Sequence, residues 1–360
     1  MLFQVKELFN PATKKGEVVK IPTVESLRGI AALIVVLFHY SSATHIQSVH
    51  DARIEQTFSF GYLGVQIFFV ISGFVIPLSQ YKSNYQIGDF LKFTFRRIVR
   101  INLPYYVSII LLVGLMMAPL LIFHKPISGV DYSRYTIDSL VYHLLLLVNF
   151  TDFPWYNAVY WTLAVEYQYY IIIGLFFPLL IWALRFKGSV IAFLVALLTI
   201  HYIPLDTVLF FKYVSLFVMG MIGFLYFQKL IDITYFVILI LVIIAISYFQ
   251  LPLIEVCFGI SALLLMVFVK LQSKLLLFIG KVSYSLYITH TFTAYLAETL
   301  IKRLLPIPTS LFAKCFMFSL YVSIGVAFAY VFYRLVELPA IELSKKVRLT
   351  KSIKETANQA

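Results

Sequence analysis

Charged residues are scarce in this 360-residue sequence, at 13%, and only 17 of them are acidic. A soluble domain carries roughly a quarter charged residues, so this chain has too few to coat a surface that faces water. That excludes both a soluble globular domain and a charged, disordered chain. Cysteine is nearly missing too. Cys257 and Cys315 each lie in an apolar run, without metal-ligand spacing or an extracellular disulfide framework, and both are expected in the core. No Gly-x-Ser-x-Gly elbow and no His-Glu-x-x-His pair occurs, which removes the usual signs of a serine hydrolase or a zinc enzyme. The first 20 residues hold Lys6, Lys14, Lys15 and Lys20 but no hydrophobic stretch, so the first apolar run is expected to be an uncleaved anchor.

What the sequence does hold is apolar length. Hydrophobic residues make up 61% of it, and its mean hydropathy is +0.90. They fall in runs of about 17 to 25 residues separated by short polar turns, a pattern of membrane-crossing helices rather than the alternating strands of a barrel. The expected fold is an all-α polytopic bundle of about ten membrane-spanning helices. Their spans are placed at residues 24–43, 61–79, 104–123, 161–184, 189–204, 207–227, 233–249, 252–270, 283–301 and 313–336. The run 138–150, "DSLVYHLLLLVNF", is too short to cross and reads as interfacial or re-entrant.

Charge then orients the chain. With 138–150 not crossing, one side receives the N-terminus, the Lys82 to Arg100 linker, the Arg185/Lys187 turn, the Lys270/Lys274/Lys281 loop and the C-terminal tail. All are basic, so this side is expected to be cytoplasmic. The opposite side holds Asp51, Arg53 and Glu55 and a second loop with Asp131, Asp138 and Asp152; Lys302, Arg303 and Lys314 depart from the pattern. The expected organisation is a cytoplasmic segment at 1–20, a membrane domain at 21–340 and a cytoplasmic tail at 341–360. The net charge of +12 follows from basic cytoplasmic loops, and nucleic acid is not an expected partner.

The informative residues are the ionisable ones inside the spans, where a charge at mid-membrane costs roughly 3 kcal/mol. In "TVESLRGIAALIVVLFHY", Arg28 and His39 are separated by three turns plus about 20°, so they share one helix face with a rise of about 16 Å between them. Glu166 in "WTLAVEYQYY" enters from the other side to a depth comparable with His39. His290 in "SYSLYITH" lies about two turns into its span. In "FRRIVR", Arg97 and Arg100 share a side if the segment is helical. Plainer readings exist for several of these. Arg28 can be a snorkelling anchor, Arg96, Arg97 and Arg100 a topology signal, and His143, His201 and His290 hydrogen-bonded packing residues. A carboxylate inside a span normally faces a partner or a cavity, which sets Glu166 apart.

Taken in order, Arg28 with His39, "GYLGVQIFFVISGFVI", "RRIVR", "WTLAVEYQYY" and "KVSYSLYITH" resemble the membrane-bound acyltransferase-3 family over nearly the whole chain. The resemblance implies an O-acyltransferase of the bacterial cytoplasmic (inner) membrane. Such an enzyme moves an acyl group, commonly acetyl, from cytoplasmic acyl-coenzyme A (acetyl-CoA or another acyl-CoA) to a hydroxyl of an extracytoplasmic glycan or lipid-linked saccharide. Arg28 and His39 then correspond to the essential pair, and Arg97 with Arg100 to the Arg-x-x-Arg motif. Tyr167 follows Glu166 where many relatives carry a second Glu, which leaves Glu166 as the carboxylate candidate there. Some relatives carry a C-terminal esterase-like periplasmic domain; none is expected here, which leaves room for a separate periplasmic transferase.

The expected roles follow from thioester chemistry. Arg97 and Arg100, with Arg28, bind the donor's phosphates. His39 is the general base or is transiently acylated, and Glu166 orients it or stabilises its imidazolium. His290, Trp161 and Ser72 form a second tier around the substrates. No metal is called for, and membrane lipid is the remaining partner. A proton-coupled transporter using the same His, Glu and Arg layer is the rival class. The absence of a convincing inverted repeat weighs against it.

Overall fold

The structure is a computed structural model that describes residues 21–42, 46–127, 130–204 and 209–347. The segments 1–20 and 348–360, expected to be cytoplasmic, lie outside the described residues. The described residues form fourteen α-helices: α1 Pro22–Ser41, α2 Ala52–Phe58, α3 Gly64–Lys82, α4 Phe90–Phe123, α5 Ile137–Leu144, α6 Trp161–Ala183, α7 Lys187–Thr199, α8 Leu209–Phe227, α9 Ile233–Ser247, α10 Leu253–Phe268, α11 Lys274–Lys281, α12 Ser283–Leu304, α13 Leu311–Phe332 and α14 Leu338–Lys346. No strand occurs among them. Each of the ten expected spans corresponds to a helix. Six of the helical segments are long and apolar enough to cross a membrane, and three more are apolar but shorter. The tenth, α12, is long enough at 22 residues but too polar to meet that measure, and its polar side chains are the ones that build the site below.

The largest departure from expectation is α4. The "RRIVR" segment, read as part of a linker before a span at 104, lies inside a single 34-residue helix that starts at Phe90. Pro104 stands where the expected span began. Here the helix runs through it, and in a membrane the hydrogen bond it removes is tolerated where neighbours close around the backbone. The arginines are therefore held on a rigid rod, as the shared-side reading of Arg97 and Arg100 required.

The 138–150 run does not cross. It forms the eight-residue α5 and a 3₁₀ turn at Val148–Phe150, and folds back along α4. Tyr105 donates to the His143 carbonyl (2.9 Å) and Tyr106 to that of Leu144 (3.0 Å). Tyr105 lies about 27 Å from the end of α4 at 1.5 Å per residue, so the loop reaches well down the helix flank.

Two close crossings set the frame. α3 meets α8 through Gly73 and Gly220, where an added Cβ would stand 2.1 Å from the Phe217 and Val70 carbonyl oxygens respectively. α1 meets α11 through Gly29 and Gly280, with corresponding gaps of 2.4 and 2.0 Å to Leu276 O and Glu25 O. Small residues that let backbones touch are a usual basis of helix association in membranes. These crossings fix Ser72 and Arg28, which are their immediate sequence neighbours. One apolar cluster fills the space among α3, α6, α8 and their neighbours, and a second joins the C-terminal half of α1 to α12 and α13. Cys257 and Cys315 are exposed on the outer faces of α10 and α13, not in the core as expected; apolar runs in a membrane protein present some side chains to lipid.

The charges that departed from the orientation pattern have partners. Lys302 Nζ lies 2.7 Å from Glu298 Oε1, and Lys314 Nζ lies 3.0 Å from the His50 carbonyl and 3.4 Å from Asp51 Oδ2. Arg303 is exposed.

Candidate active site

The seam begins at the N-terminal end of α1. Arg28 is partly buried there, on the helix that α11 presses against, and Arg97 and Arg100 come up beside it on the first third of α4. Arg100 is close enough to Arg97, Arg28 and Glu337 for their charges to act on one another. Glu337 closes a π turn, Tyr333–Glu337, that joins α13 to α14, and α14 packs along α4 with Arg96 donating to the Val347 carbonyl (3.4 Å). The Glu337 carboxylate is 5% exposed. Its Oε2 accepts the Ser285 hydroxyl at 2.5 Å and the Ser285 backbone N–H at 3.2 Å.

Arg28, Arg97 and Arg100 make no hydrogen bond or ion pair to any described residue. Arg97 instead stands over two rings, 5.2 Å from the centroid of Tyr170 and 5.5 Å from that of Phe93. A guanidinium offers five donors, so the cluster presents many that the protein leaves uncommitted.

Tyr170 carries the seam onward. Its hydroxyl donates to Glu166 Oε2 (2.8 Å), while Ser72 donates to Glu166 Oε1 (2.7 Å). Glu166 thus joins α6 to α3, with Ser72 held beside the Gly73 crossing. The charge of Glu166 also acts on Tyr284 and Tyr287 of α12. Tyr284 donates to the Ile101 carbonyl (2.7 Å), and Thr162 donates to Tyr287 (2.9 Å). A second polar strap runs from Tyr167 to Asn102, and from Asn102 to Tyr106 (2.9 Å).

His39 and His290 meet at the C-terminal end of α1. Their ring centroids are 5.1 Å apart at an interplanar angle of 42°. His290 is fully buried, and its Nδ1 lies 2.7 Å from the Tyr287 carbonyl. A backbone carbonyl can only accept, so this contact assigns a proton to Nδ1. Tyr40, next to His39, donates to the His290 carbonyl (3.0 Å) and bonds Thr293 (3.2 Å), which fixes α1 against α12 at this level.

The structure thus brings Arg28, Arg97 and Arg100 together at one end of the seam, Glu166 with Ser72 in its middle, and His39 with His290 at the other. Trp161 stands apart, packed between Phe69 (6.2 Å) and Tyr213 (5.5 Å) in the first turn of α6. His143 and His201 are packing groups. His201 Nδ1 faces the Phe211 carbonyl. His143 is buried with Nδ1 on the Ser139 carbonyl (2.7 Å), while its Nε2 accepts the Tyr156 N–H (2.9 Å) and its ring stacks on Tyr156 at 3.6 Å. Burial pushes the His143 imidazole down to about 4, so it stays neutral and fixed. Among the described residues, no three His, Cys, Asp or Glu side chains gather as metal ligands do.

Sequence reasoning missed Glu337, Ser285, Tyr170 and Glu298. Glu337 fell one residue beyond the last expected span, and its partner Ser285 is 52 residues away. An acidic residue at the edge of an apolar run that otherwise borders only basic residues was the signal available.

The fold and seam define a class: a helical membrane protein in which cations, a carboxylate and paired histidines follow one another between packed helices. Within that class the chain belongs to the acyltransferase-3 family, whose model, described as an acyltransferase domain, matches residues 21–334. The chain is also similar to O-acetyltransferase OatA from Staphylococcus aureus strains NCTC 8325 / PS 47, COL and MRSA252. In each case it is 29% identical over 179 residues, covering 46% of this chain and 26% of the relative. The match spans about a quarter of the length of those relatives. No solved structure matches the chain.

Proposed function

We propose that this chain is a membrane O-acyltransferase that takes an acyl group, acetyl by preference, from acyl-CoA on the cytoplasmic side and passes it to a glycan hydroxyl on the other. The single observation that carries this reading is a cluster of three guanidiniums that make no hydrogen bond or ion pair to any described residue, with Arg97 over Tyr170, which donates to Glu166, and a histidine pair at the far end of α1. Guanidinium forks match phosphate oxygens in geometry and charge, so Arg28, Arg97 and Arg100 suit the donor's phosphates. The rise of about 16 Å from Arg28 to His39 compares with the length of an extended pantetheine arm, which would present the thioester near His39. Family membership and the likeness to O-acetyltransferases point the same way.

In the proposed step the acceptor hydroxyl loses its proton to a ring nitrogen of His39 as its oxygen attacks the thioester carbonyl carbon. The C–S bond breaks, and the departing sulfur takes the proton from the imidazolium to leave free CoA thiol. The carboxylate of Glu166 favours the imidazolium through the field it exerts across the seam. His290, with Nδ1 engaged by Tyr287, packs against His39 and limits its ring orientation.

The orientation is part of the proposal: both termini and the arginine end cytoplasmic, the His39 end outside, in the inner membrane of a bacterium. In a Cys257→Ser, Cys315→Ser background, cysteines at the exposed positions Thr57 and Asp138 are expected to react with an impermeant thiol reagent on intact cells, and one at Ser83 is not. Labelling at Ser83 from outside would reverse the donor's side. For the activity itself, surface glycans from cells with and without the chain are compared by mass spectrometry, and the acyl mass increment is expected only with it. Proton-driven solute uptake without acyl-CoA turnover would replace this reading with a transporter.

A further inference from the structure

Glu337 has no part in the proposed transfer, yet it is among the most enclosed carboxylates in the chain. It sits in a π turn, a wide turn that recurs at functional sites, and faces the arginine cluster without an ion pair to Arg28 or Arg100. Ser285 is the reason. Its hydroxyl and backbone N–H both engage Oε2, which holds the carboxylate near the guanidiniums but off them. Three cations face one restrained anion on this side, with the Glu166 carboxylate bonded to the tyrosine under Arg97, so positive charge remains in excess. A carboxylate in direct contact would compete with a phosphate for the same forks; one held back only weakens the field.

We propose that Glu337, restrained by Ser285, is the fixed counter-charge of the arginine cluster and sets how tightly the donor's phosphates are held. The proposal rests on the donor assignment above. It makes Glu337 a positioning residue acting through Arg28 and Arg100, and it predicts opposite effects from two neutral substitutions. Glu337→Gln keeps the shape and an acceptor for Ser285 but removes the charge, so CoA binds about tenfold tighter at low salt, and the gap narrows as salt rises. Ser285→Ala frees the carboxylate to pair with Arg28 or Arg100, so CoA binds more weakly.

The test is calorimetric titration of CoA into the full chain in nanodiscs, at low and high salt, for wild type, Glu337→Gln, Ser285→Ala and the Arg97→Gln, Arg100→Gln pair. Tighter binding in the first variant together with weaker binding in the second supports the proposal, since a packing role alone moves neither in that pattern. Unchanged or weaker binding by folded Glu337→Gln overturns it. If Glu337→Gln does not fold, unchanged or tighter binding by Ser285→Ala overturns it. Loss of binding in the arginine pair with Glu337→Gln unaffected sinks this inference and leaves the donor assignment standing. A wild-type chain that binds no CoA sinks both.

Discussion

Glu298 and Glu337 are two carboxylates held in the same way and surrounded differently. Each accepts the backbone N–H and the hydroxyl of a single serine, Ser48 for one (2.9 and 2.6 Å) and Ser285 for the other (3.2 and 2.5 Å). Glu298 then takes Tyr321 (2.6 Å) and a direct ion pair with Lys302 (2.7 Å). Four donors saturate it, and the result is a clamp that ties the segment after α1 to α12 and α13. Glu337 receives only its serine, although two guanidiniums are near. Charges that the protein satisfies internally build the frame; on the proposed reading, cations that have no partner among the described residues are the ones that hold the donor. The distinction follows from desolvation, since an uncommitted guanidinium in a span is disfavoured unless something outside the protein repays it.

The sharpest test of that distinction lies where the seam ends. His39→Ala removes the proposed base, and is expected to lower acyl transfer by about 10² to 10⁴-fold while leaving CoA affinity and abundance near wild type. Transfer at the wild-type rate by a folded His39→Ala chain would move the chemistry to His290. The arginine end comes next. Arg97→Gln with Arg100→Gln is expected to raise the donor's Kd by about two to four orders of magnitude, on the basis of about 1.5 to 3 kcal/mol for each charged hydrogen bond lost, one per arginine, and Lys at both positions to recover part of it because Lys lacks the fork. Equal affinity in the Gln pair would reduce the cluster to a topology signal.

Glu298 is the control. Glu298→Ala leaves the Ser48 N–H and Lys302 without this acceptor and the Ser48 and Tyr321 hydroxyls with only each other, which costs about 1 to 3 kcal/mol per unsatisfied buried group. The expected outcome is a lower Tm in detergent with CoA affinity retained. If Glu298→Ala instead weakened CoA binding as much as the arginine pair does, satisfied and unsatisfied charges would not separate into frame and site.

How far the sequence carried this picture depended on contrast. Arg28, His39 and Glu166 were legible because an ionisable group stands out in an apolar run, and the helical period was enough to align Arg28 with His39 and Arg97 with Arg100. Glu298 was not, because with Lys302 four residues on it looks like an ordinary solvated pair. Tyr170, the link between Arg97 and Glu166, is one of 25 tyrosines, and nothing in its neighbours marks it. Glu337 needed the π turn, which shifts the register just where a span was expected to end. Each of the ten expected spans falls on one of the fourteen described helices, while the reach of α4 was not legible, because the cost of Pro104 in a membrane depends on neighbours that a sequence does not display.

The smallest effect expected is one of acidity at the outer clamp. Asp51 caps α2 by accepting the Arg53 N–H (3.1 Å), and its side chain also engages Arg53 Nε (3.0 Å) and Lys314. The hydrogen bond from Arg53, first of all, holds the Asp51 carboxyl well below the usual carboxylate range. A folded value below the unfolded one, about 3.9, means that this contribution to stability is fully present above about pH 4 and is lost only as pH falls further. Hydrogen exchange over residues 46–58 is therefore expected to be flat from pH 8 to 5, after correction for intrinsic rates, and to rise below about 4. Asp51→Asn keeps an acceptor for the cap but cannot titrate, so its protection is lower at neutral pH and the acid limb is flattened. An acid limb of full size in Asp51→Asn would assign it to other carboxylates and leave Lys314 held by the His50 carbonyl alone.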